Sequence, residues 1–366
     1  MSTQVRVGFI GTSWYADAGH LPTFKSHPQA QLAAICGRNR ERAEEMATKY
    51  DISQVFTDYQ EMIEKGGLDA IVVATPDDLH YPMTMAALEA GLHVLCEKPL
   101  AMTAQQAKEM ADKAEAMGVK HMAFFTFRWP PYARYMAHLI EEGYLGRFYH
   151  GHFRFFGGYG RPPHYQWKWD AARGLGILGD LGSHMIDSAR WYAGEITAVN
   201  AQVTNFVERR QEDGRSLAPT NDSALLSVKF QNGGQGMIHV SAVAHIGKRF
   251  IEQQILLHGE GGTLELEFDF GGHSVLRAPR KDEEEIKELT IPEAFLQGVN
   301  WGAPIRSQLQ QVFTQHTVGG RAFIEAIVND LPISPNFYDG WQAQRVIEAA
   351  LESEREGRWI SLTAGN

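Results

Sequence analysis

The stretch Val5-Arg6-Val7-Gly8-Phe9-Ile10-Gly11-Thr12-Ser13-Trp14-Tyr15-Ala16 decides the fold. Its apolar beginning reads as a strand ending at Ile10, and Gly11 breaks it into a tight turn that opens a helix. Gly11, Ser13 and Ala16 occupy the three positions of a dinucleotide fingerprint, with serine where the second glycine is usual. Gly11 permits the turn, position 13 must let a pyrophosphate approach the backbone, and Ala16 lets the helix sit close to the sheet. Amides at the helix start then face the phosphates. Ser13 is small and adds a hydroxyl, although its Cβ narrows the approach; Thr12, Trp14 and Tyr15 complete the loop as candidate dinucleotide contacts.

Outward from this turn, short apolar runs at 5–10, 31–36, 70–74, 93–96 and 119–124 read as strands. Helical periodicities at 40–50, 81–90 and 104–117 separate them, the last preceded by Thr103 as N-cap. Strands alternating with helices predict a parallel sheet with crossover helices, so residues 1–125 read as a doubly wound α/β domain of Rossmann type. After Arg128 the texture changes. Alternating runs at 148–156, 199–207, 224–230, 236–244, 254–258 and 263–268 predict a large, mostly antiparallel open sheet. Helical patterns at 131–142, 183–192, 310–329 and 339–356 accompany it, making residues 126–366 an α+β domain. The charge run at 282–288 reads as a solvated loop or hairpin.

A length of 366 residues favours two domains, and 44% hydrophobic with 21% charged residues excludes a disordered or fibrous chain. A formal net charge of −10 without clustered Lys and Arg argues against nucleic acid as a partner. The two cysteines, Cys36 and Cys96, each sit inside an apolar strand pattern, which predicts neither a disulfide framework nor a metal site and suits a reducing cytoplasm. The first residues enter a strand almost at once, so no secretory signal is expected, and no apolar run reaches membrane-spanning length.

Three further segments fall at the carboxyl ends of strands, where ligands bind in open α/β sheets. At Cys36-Gly37-Arg38 the acid that accepts from the ribose hydroxyls of NAD is absent. Gly37 leaves room and Arg38 offers a planar cation for adenine or a 2′-phosphate, which favours NADP over NAD; a surface arginine opening the next helix is the bland alternative. Ala74-Thr75-Pro76-Asp77-Asp78-Leu79-His80 and Cys96-Glu97-Lys98-Pro99 end two other strands. An ammonium at Lys98 can hold an alcohol oxygen beside a nicotinamide and stabilise developing alkoxide.

On these residues the chain resembles the Gfo/Idh/MocA oxidoreductases, the family of glucose-fructose oxidoreductase and inositol dehydrogenase. The resemblance rests on Gly8 to Ala16 with His20-Leu21-Pro22, on Ala74-Thr75-Pro76 with His80, and on Glu97-Lys98-Pro99. It continues through Gly143-Tyr144-Leu145-Gly146 and Gly179-Asp180-Leu181-Gly182-Ser183-His184 with Asp187. It implies an NAD(P)-binding first domain, with cofactor contacts at Gly11 to Tyr15, Arg38, Ala74, Thr75, Pro76, His80, Glu97 and Lys98, and a second domain for substrate binding and oligomerisation. It also implies a proton-transfer pair four residues apart, fitted by Asp180 and His184, a spacing that stacks both on one helical face. Lys98, Asp180 and His184 are the expected catalytic set, and Arg128, Trp167 and Lys168 the expected further substrate contacts.

Ser13, and Asp78 where asparagine is common, depart from the family pattern without touching that set. Tyr159, His164 and Trp169 add aromatic or hydroxyl-binding side chains ahead of Asp180, while Trp129 and Trp169 read equally well as core tryptophans. The expected reaction is hydride exchange between NAD(P) and a secondary hydroxyl or ketone of a sugar, sugar derivative or cyclitol. Two alternatives stay open: glycoside processing through transient oxidation by a tightly bound nicotinamide, and non-catalytic sensing of NADP or a sugar. A homodimer or homotetramer formed through the outer face of the second-domain sheet completes the expectation.

Overall fold

The computed structural model describes residues 4–211, 213–214, 217–270, 272–279, 282–300 and 305–362. The chain forms two compact units, one of residues Met1–Phe125 with Ser307–Gln342 and one of Thr126–Arg306 with Ala343–Asn366. The first 125 residues thus stay together, but the expected division at 126–366 is crossed by a later segment that packs with them. The reason lies in side chains: Gly320 fits against Phe24, where a Cβ would come within 2.7 Å of the ring. His27 meets Glu325 at 3.1 Å, and Arg321 donates to the Ser26 carbonyl at 2.9 Å.

In the first unit, strands β1 (Val5–Ile10), β2 (Ala30–Cys36), β3 (Gln54–Phe56), β4 (Ala70–Val73), β5 (His93–Glu97) and β6 (His121–Phe124) form one sheet in the order β3-β2-β1-β4-β5-β6. Every neighbouring pair is parallel. The strand order reverses between β1 and β4, which opens the crevice outside their carboxyl ends. Helices at Arg40–Tyr50 and Ala104–Met117 match the expected limits; the Asn39 side chain accepts from the Arg42 amide, and the Thr103 hydroxyl from the Gln106 amide. β3 and the helix Tyr59–Lys65 were not anticipated, because β3 is only three half-buried residues long. The single helix expected at 310–329 is two, Ile305–Gln315 and Gly320–Val328. Gly319, at φ +53°, turns the chain between them.

In the second unit, β7 (Phe148–Gly157), β8 (Ile196–Thr204), β9 (Ser223–Phe230), β10 (Gln235–Ser241), β11 (Ile251–Gly259), β12 (Thr263–Asp269), β13 (Ser274–Arg277) and β14 (Ile360–Ser361) form an eight-stranded sheet. Its order is β13-β12-β11-β7-β10-β9-β8-β14, antiparallel throughout except for the parallel β7–β10 pair. One face buries Phe153, Phe155, Leu226, Ile238, Val240, Ile255, Leu257 and Leu266 beneath the helix Ser183–Ala193. The opposite face carries His150, His152, Arg154 and Gln254, which alternate with those core residues along the strands. The strand expected at 199–207 ends early. Asp222 draws the amides of Phe206 and Val207 into a turn instead. The 282–288 run is exposed, and the Arg277–Glu288 bridge ties it to β13.

Among the described residues no helix is long and apolar enough to cross a membrane, and no group of three or more His, Cys, Asp or Glu could hold a metal ion. Both cysteine thiols are buried, and burial pushes Cys36 up to about 11.

Burial also lowers the pKa of His27, His80, His93, His121, His239 and His258. An unfolded chain protonates these rings at about 6.5, before the folded one does, so acidification below that point favours unfolding. Urea midpoints measured from pH 8 to pH 5 are therefore expected to hold steady and then fall below about pH 6.5. A midpoint that rises on acidification would contradict this assignment.

Candidate functional site

The crevice edge of the six-stranded sheet is built around the absence of side chains. Gly11 sits at φ +119°, and a Cβ there would lie 2.3 Å from the Ala74 carbonyl oxygen. Its amide donates to the Cys36 carbonyl at 2.9 Å, and the Ala74 amide donates to the Ile10 carbonyl at 2.8 Å. A Cβ on Gly37 would meet Thr12 Cγ2 at 2.6 Å. The tips of β1, β2 and β4 are thereby drawn together. Ser13 takes up the helix start, its hydroxyl oxygen accepting from the Ala16 amide at 3.1 Å. Trp14 is 71% exposed, Tyr15 lies edge-on to it, and Arg38 projects into solvent beyond Gly37.

Residues of this kind suit a dinucleotide. The cradle at Gly11 admits backbone approach, and helical amides follow it. Thr75, at the end of β4, holds its hydroxyl oxygen buried with no hydrogen-bond partner among the described residues, a polar atom whose burial costs free energy until something pairs with it.

Lys98 is held from both sides. Glu97 closes β5 with its Oε1 2.7 Å from His20 Nε2, while Oε2 accepts from the Lys98 amide at 3.2 Å. The His20 ring is caged by Phe124 at 4.5 Å and Tyr15 at 5.3 Å between centroids. On the other side, His80 places Nδ1 2.8 Å from the Pro99 carbonyl and Nε2 2.9 Å from the Thr75 carbonyl. Burial holds its pKa below the ordinary imidazole range against the opposing pull of those two carbonyls. The Lys98–Pro99 peptide is cis. His80 and Glu97, expected as cofactor contacts, are thus buried brackets for the turn that carries Lys98 and for the Thr75-Pro76 turn beside it.

In the second unit the expected Asp180–His184 helix begins as a π-helical turn, Leu178–Gly182, that runs into the α-helix Ser183–Ala193. Asn221, buried, braces that turn. Its side-chain oxygen accepts from the Leu178 amide at 2.8 Å, and its amide nitrogen donates to the Leu175 carbonyl at 3.0 Å. Asp180 Oδ2 accepts from both the Tyr159 hydroxyl at 2.7 Å and the Lys168 ammonium at 2.6 Å. Burial and the neighbouring Asp180 charge push the Tyr159 phenol well above its usual range, which keeps it a donor. The ammonium lies 5.3 Å over the Tyr159 ring and 5.9 Å over that of Trp167. His184, 5% exposed, sets its ring edge-on against Phe127 at 4.8 Å.

Arg128 lies elsewhere in this arrangement. It is 7% exposed and grips Asp187 through two bonds, Nε to Oδ2 at 2.8 Å and Nη2 to Oδ1 at 2.6 Å. That pair ties the Thr126–Arg128 turn to the Ser183–Ala193 helix. Trp169 is a core residue, with the Arg209 guanidinium 4.3 Å over its ring. Tyr159 was expected only as an aromatic face, and its bond to Asp180 had no local signal. Neither did Asn221 or Arg209, whose partners are distant in sequence. His20 and Glu97 were both marked, within His20-Leu21-Pro22 and Glu97-Lys98-Pro99, but not their pairing.

Comparison with known proteins follows the same division of the chain. Residues 5–125 match the family model described as "Oxidoreductase family, NAD-binding Rossmann fold", and residues 133–265 match "GFO/IDH/MocA C-terminal domain". A levoglucosan dehydrogenase of Pseudarthrobacter phenanthrenivorans is 27% identical over 97% of this chain and 96% of its own. A D-glucoside 3-dehydrogenase of Escherichia coli is 30% identical over 83% of this chain and 90% of its own. A solved structure of levoglucosan dehydrogenase in complex with NADH and levoglucosan superposes with a TM-score of 0.86 at 25% identity, covering 98% of this chain and 99% of that one. The chain belongs to the Gfo/Idh/MocA family and is an NAD(P)-dependent oxidoreductase.

Proposed function

We propose that this oxidoreductase exchanges hydride between NADP and a secondary hydroxyl or ketone on the ring of a sugar, sugar derivative or cyclitol. The observation that carries the reading is the delivery of Lys98 to the same sheet edge as the Gly11 cradle, by the buried brackets His20–Glu97 and His80. Sugar dehydrogenases among the relatives support the substrate class. Gly11 to Tyr15, Ala74, Thr75, Pro76 and Arg38 would hold the dinucleotide, which when bound supplies the hydride acceptor.

The protein's own side chains handle the proton and the charge. Lys98 donates to the reacting oxygen and stabilises the alkoxide that develops as the carbon loses hydride. His184 takes the hydroxyl proton, an imidazole being the side chain suited to act as base near neutral pH. Asp180, fixed by Tyr159 and Lys168, is an acceptor that orients the substrate hydroxyls. Arg128 acts through Asp187 as a positioning residue, keeping the helix that bears His184 in place.

Absorbance of reduced nicotinamide across inositols, aldoses, anhydrosugars and sugar acids tests the activity. Lys98→Ala is expected to lower kcat by roughly 100-fold or more while NADP affinity changes little, because the lost interaction forms mainly in the transition state. An unchanged kcat would remove Lys98 from the chemistry. Product formed with no net reduction would move the protein to glycoside processing by transient oxidation.

Arg38 decides the cofactor preference. Its exposed guanidinium follows a glycine where an acid would repel a 2′-phosphate. Arg38→Ala is expected to raise KM for NADP about 10-fold or more, a charged hydrogen bond being worth roughly 1.5–3 kcal/mol, and to leave KM for NAD nearly unaltered. Equal effects on both cofactors would overturn the NADP assignment.

A further inference from the structure

We propose that the second unit holds a groove for the far group of a glycoside, and that this group is itself a neutral polyhydroxylated ring. The inference rests on the substrate being a sugar derivative. It begins from a cavity of about 630 Å³ lined by Pro163, His164, Tyr165, Glu208, Arg210 and Gln211. Sites for small molecules commonly span roughly 300–1,000 Å³, so there is space for a sugar ring with its substituents.

The walls of this groove are tied to the Lys168–Asp180 pair. One wall, 163–165, runs directly into the Trp167–Trp169 turn that carries Lys168. The other wall flanks Arg209, which turns inward where Glu208 and Arg210 face out. Arg209 is buried over Trp169, bonds to Asp222 at 3.2 Å and donates to the carbonyl of Gly160, next to Tyr159. One buried guanidinium thus fixes the groove wall, the tryptophan beside Lys168 and the turn of the tyrosine that holds Asp180. The segments that carry Lys168 and hold Tyr159 thus continue into the lining of the groove, which is where the group linked to a ring at Lys168 and Asp180 would extend.

The chemistry of the lining selects the class of occupant. Tyr165 and Pro163 offer apolar surface for the carbon face of a ring. Arg210 and Glu208 pair at 2.9 Å, so their charges cancel and the groove has no net demand for an ion. Together with Gln211 and His164 they still present both donors and acceptors, which is what a set of hydroxyls requires. An anion would meet Glu208, and an apolar group would strip water from these polar side chains without replacing it.

Saturation-transfer NMR tests this with NADP present, comparing methyl β-glucoside with cellobiose, maltose and trehalose. Protons of the second ring are expected to receive saturation from at least one disaccharide. Tyr165→Ala and Arg210→Ala should each weaken that disaccharide's binding about 10-fold, the scale of one lost contact worth roughly 1.4 kcal/mol, while methyl β-glucoside binding stays within about two-fold. A second ring that receives no saturation from any disaccharide, or that both variants leave unchanged, would overturn the groove. Nicotinamide reduction is read in parallel. Second-ring contact without turnover would keep the groove and sink oxidation of these sugars as the reaction, and turnover without second-ring contact would do the reverse.

Discussion

Buried imidazoles that must find partners hold the Lys98 turn in shape, and the rest of the first unit's site depends on them. A polar ring in the core costs free energy unless it is hydrogen-bonded. His20 resolves that cost on Glu97, at the end of β5. His80, whose neutral ring has one N–H to donate, does so on the carbonyl of Thr75 or on that of Pro99, which follow two adjacent strands. These contacts tie the ends of β4 and β5 to the helical segments that bear His80 and His20, with Lys98 fixed between its brackets and Thr75 at the cradle. Close backbone approach at Gly11 completes the edge, and the Thr12 side chain packs where Gly37 carries no Cβ.

The second unit solves the same problem with ion pairs. Arg128–Asp187 and Arg209–Asp222 are both buried, and each arginine also reaches an aromatic ring. Breaking one partner of such a pair leaves an uncompensated charge, a loss of roughly 3–5 kcal/mol, so these contacts are rigid by necessity. The consequence for function is precision. Asp180 is set by Tyr159, Lys168 and the Asn221-braced π-helical turn, and His184 follows on a helix clamped through Asp187.

Much of this was legible in the sequence where one segment carries its own signal. The strands β1, β2, β4, β5 and β6 are apolar runs between turn residues, and the helices 40–50 and 104–117 start at side chains that cap them. The family pattern named Lys98, Asp180 and His184. What could not be read were features set by distant partners. β3, β13 and β14 are too short to show a period, and they exist because a neighbouring strand offers its edge. The 310–329 pattern continues through Gly319-Gly320, although the chain turns there to lay Gly320 on Phe24. Arg128 reads as a substrate contact until Asp187, 59 residues on, is seen to hold its guanidinium. Asp180 and His184 keep their expected spacing of four, but Asp180 lies in a π-helical turn that hydrophobic periodicity does not distinguish from an α-helix.

Deuterium transfer is the most direct measurement of hydride chemistry at this site. A sugar or cyclitol that the protein oxidises, deuterated at its ring carbinol carbons, is incubated with NADP in ordinary water and the reduced cofactor is weighed by mass spectrometry. Reduced nicotinamide heavier by one deuterium is the expected result, since the carbon-bound hydrogen moves directly while the hydroxyl proton leaves through His184. Oxidised substrate accompanied by unlabelled cofactor, or by no reduced cofactor at all, would contradict direct hydride transfer between the ring carbon and the nicotinamide.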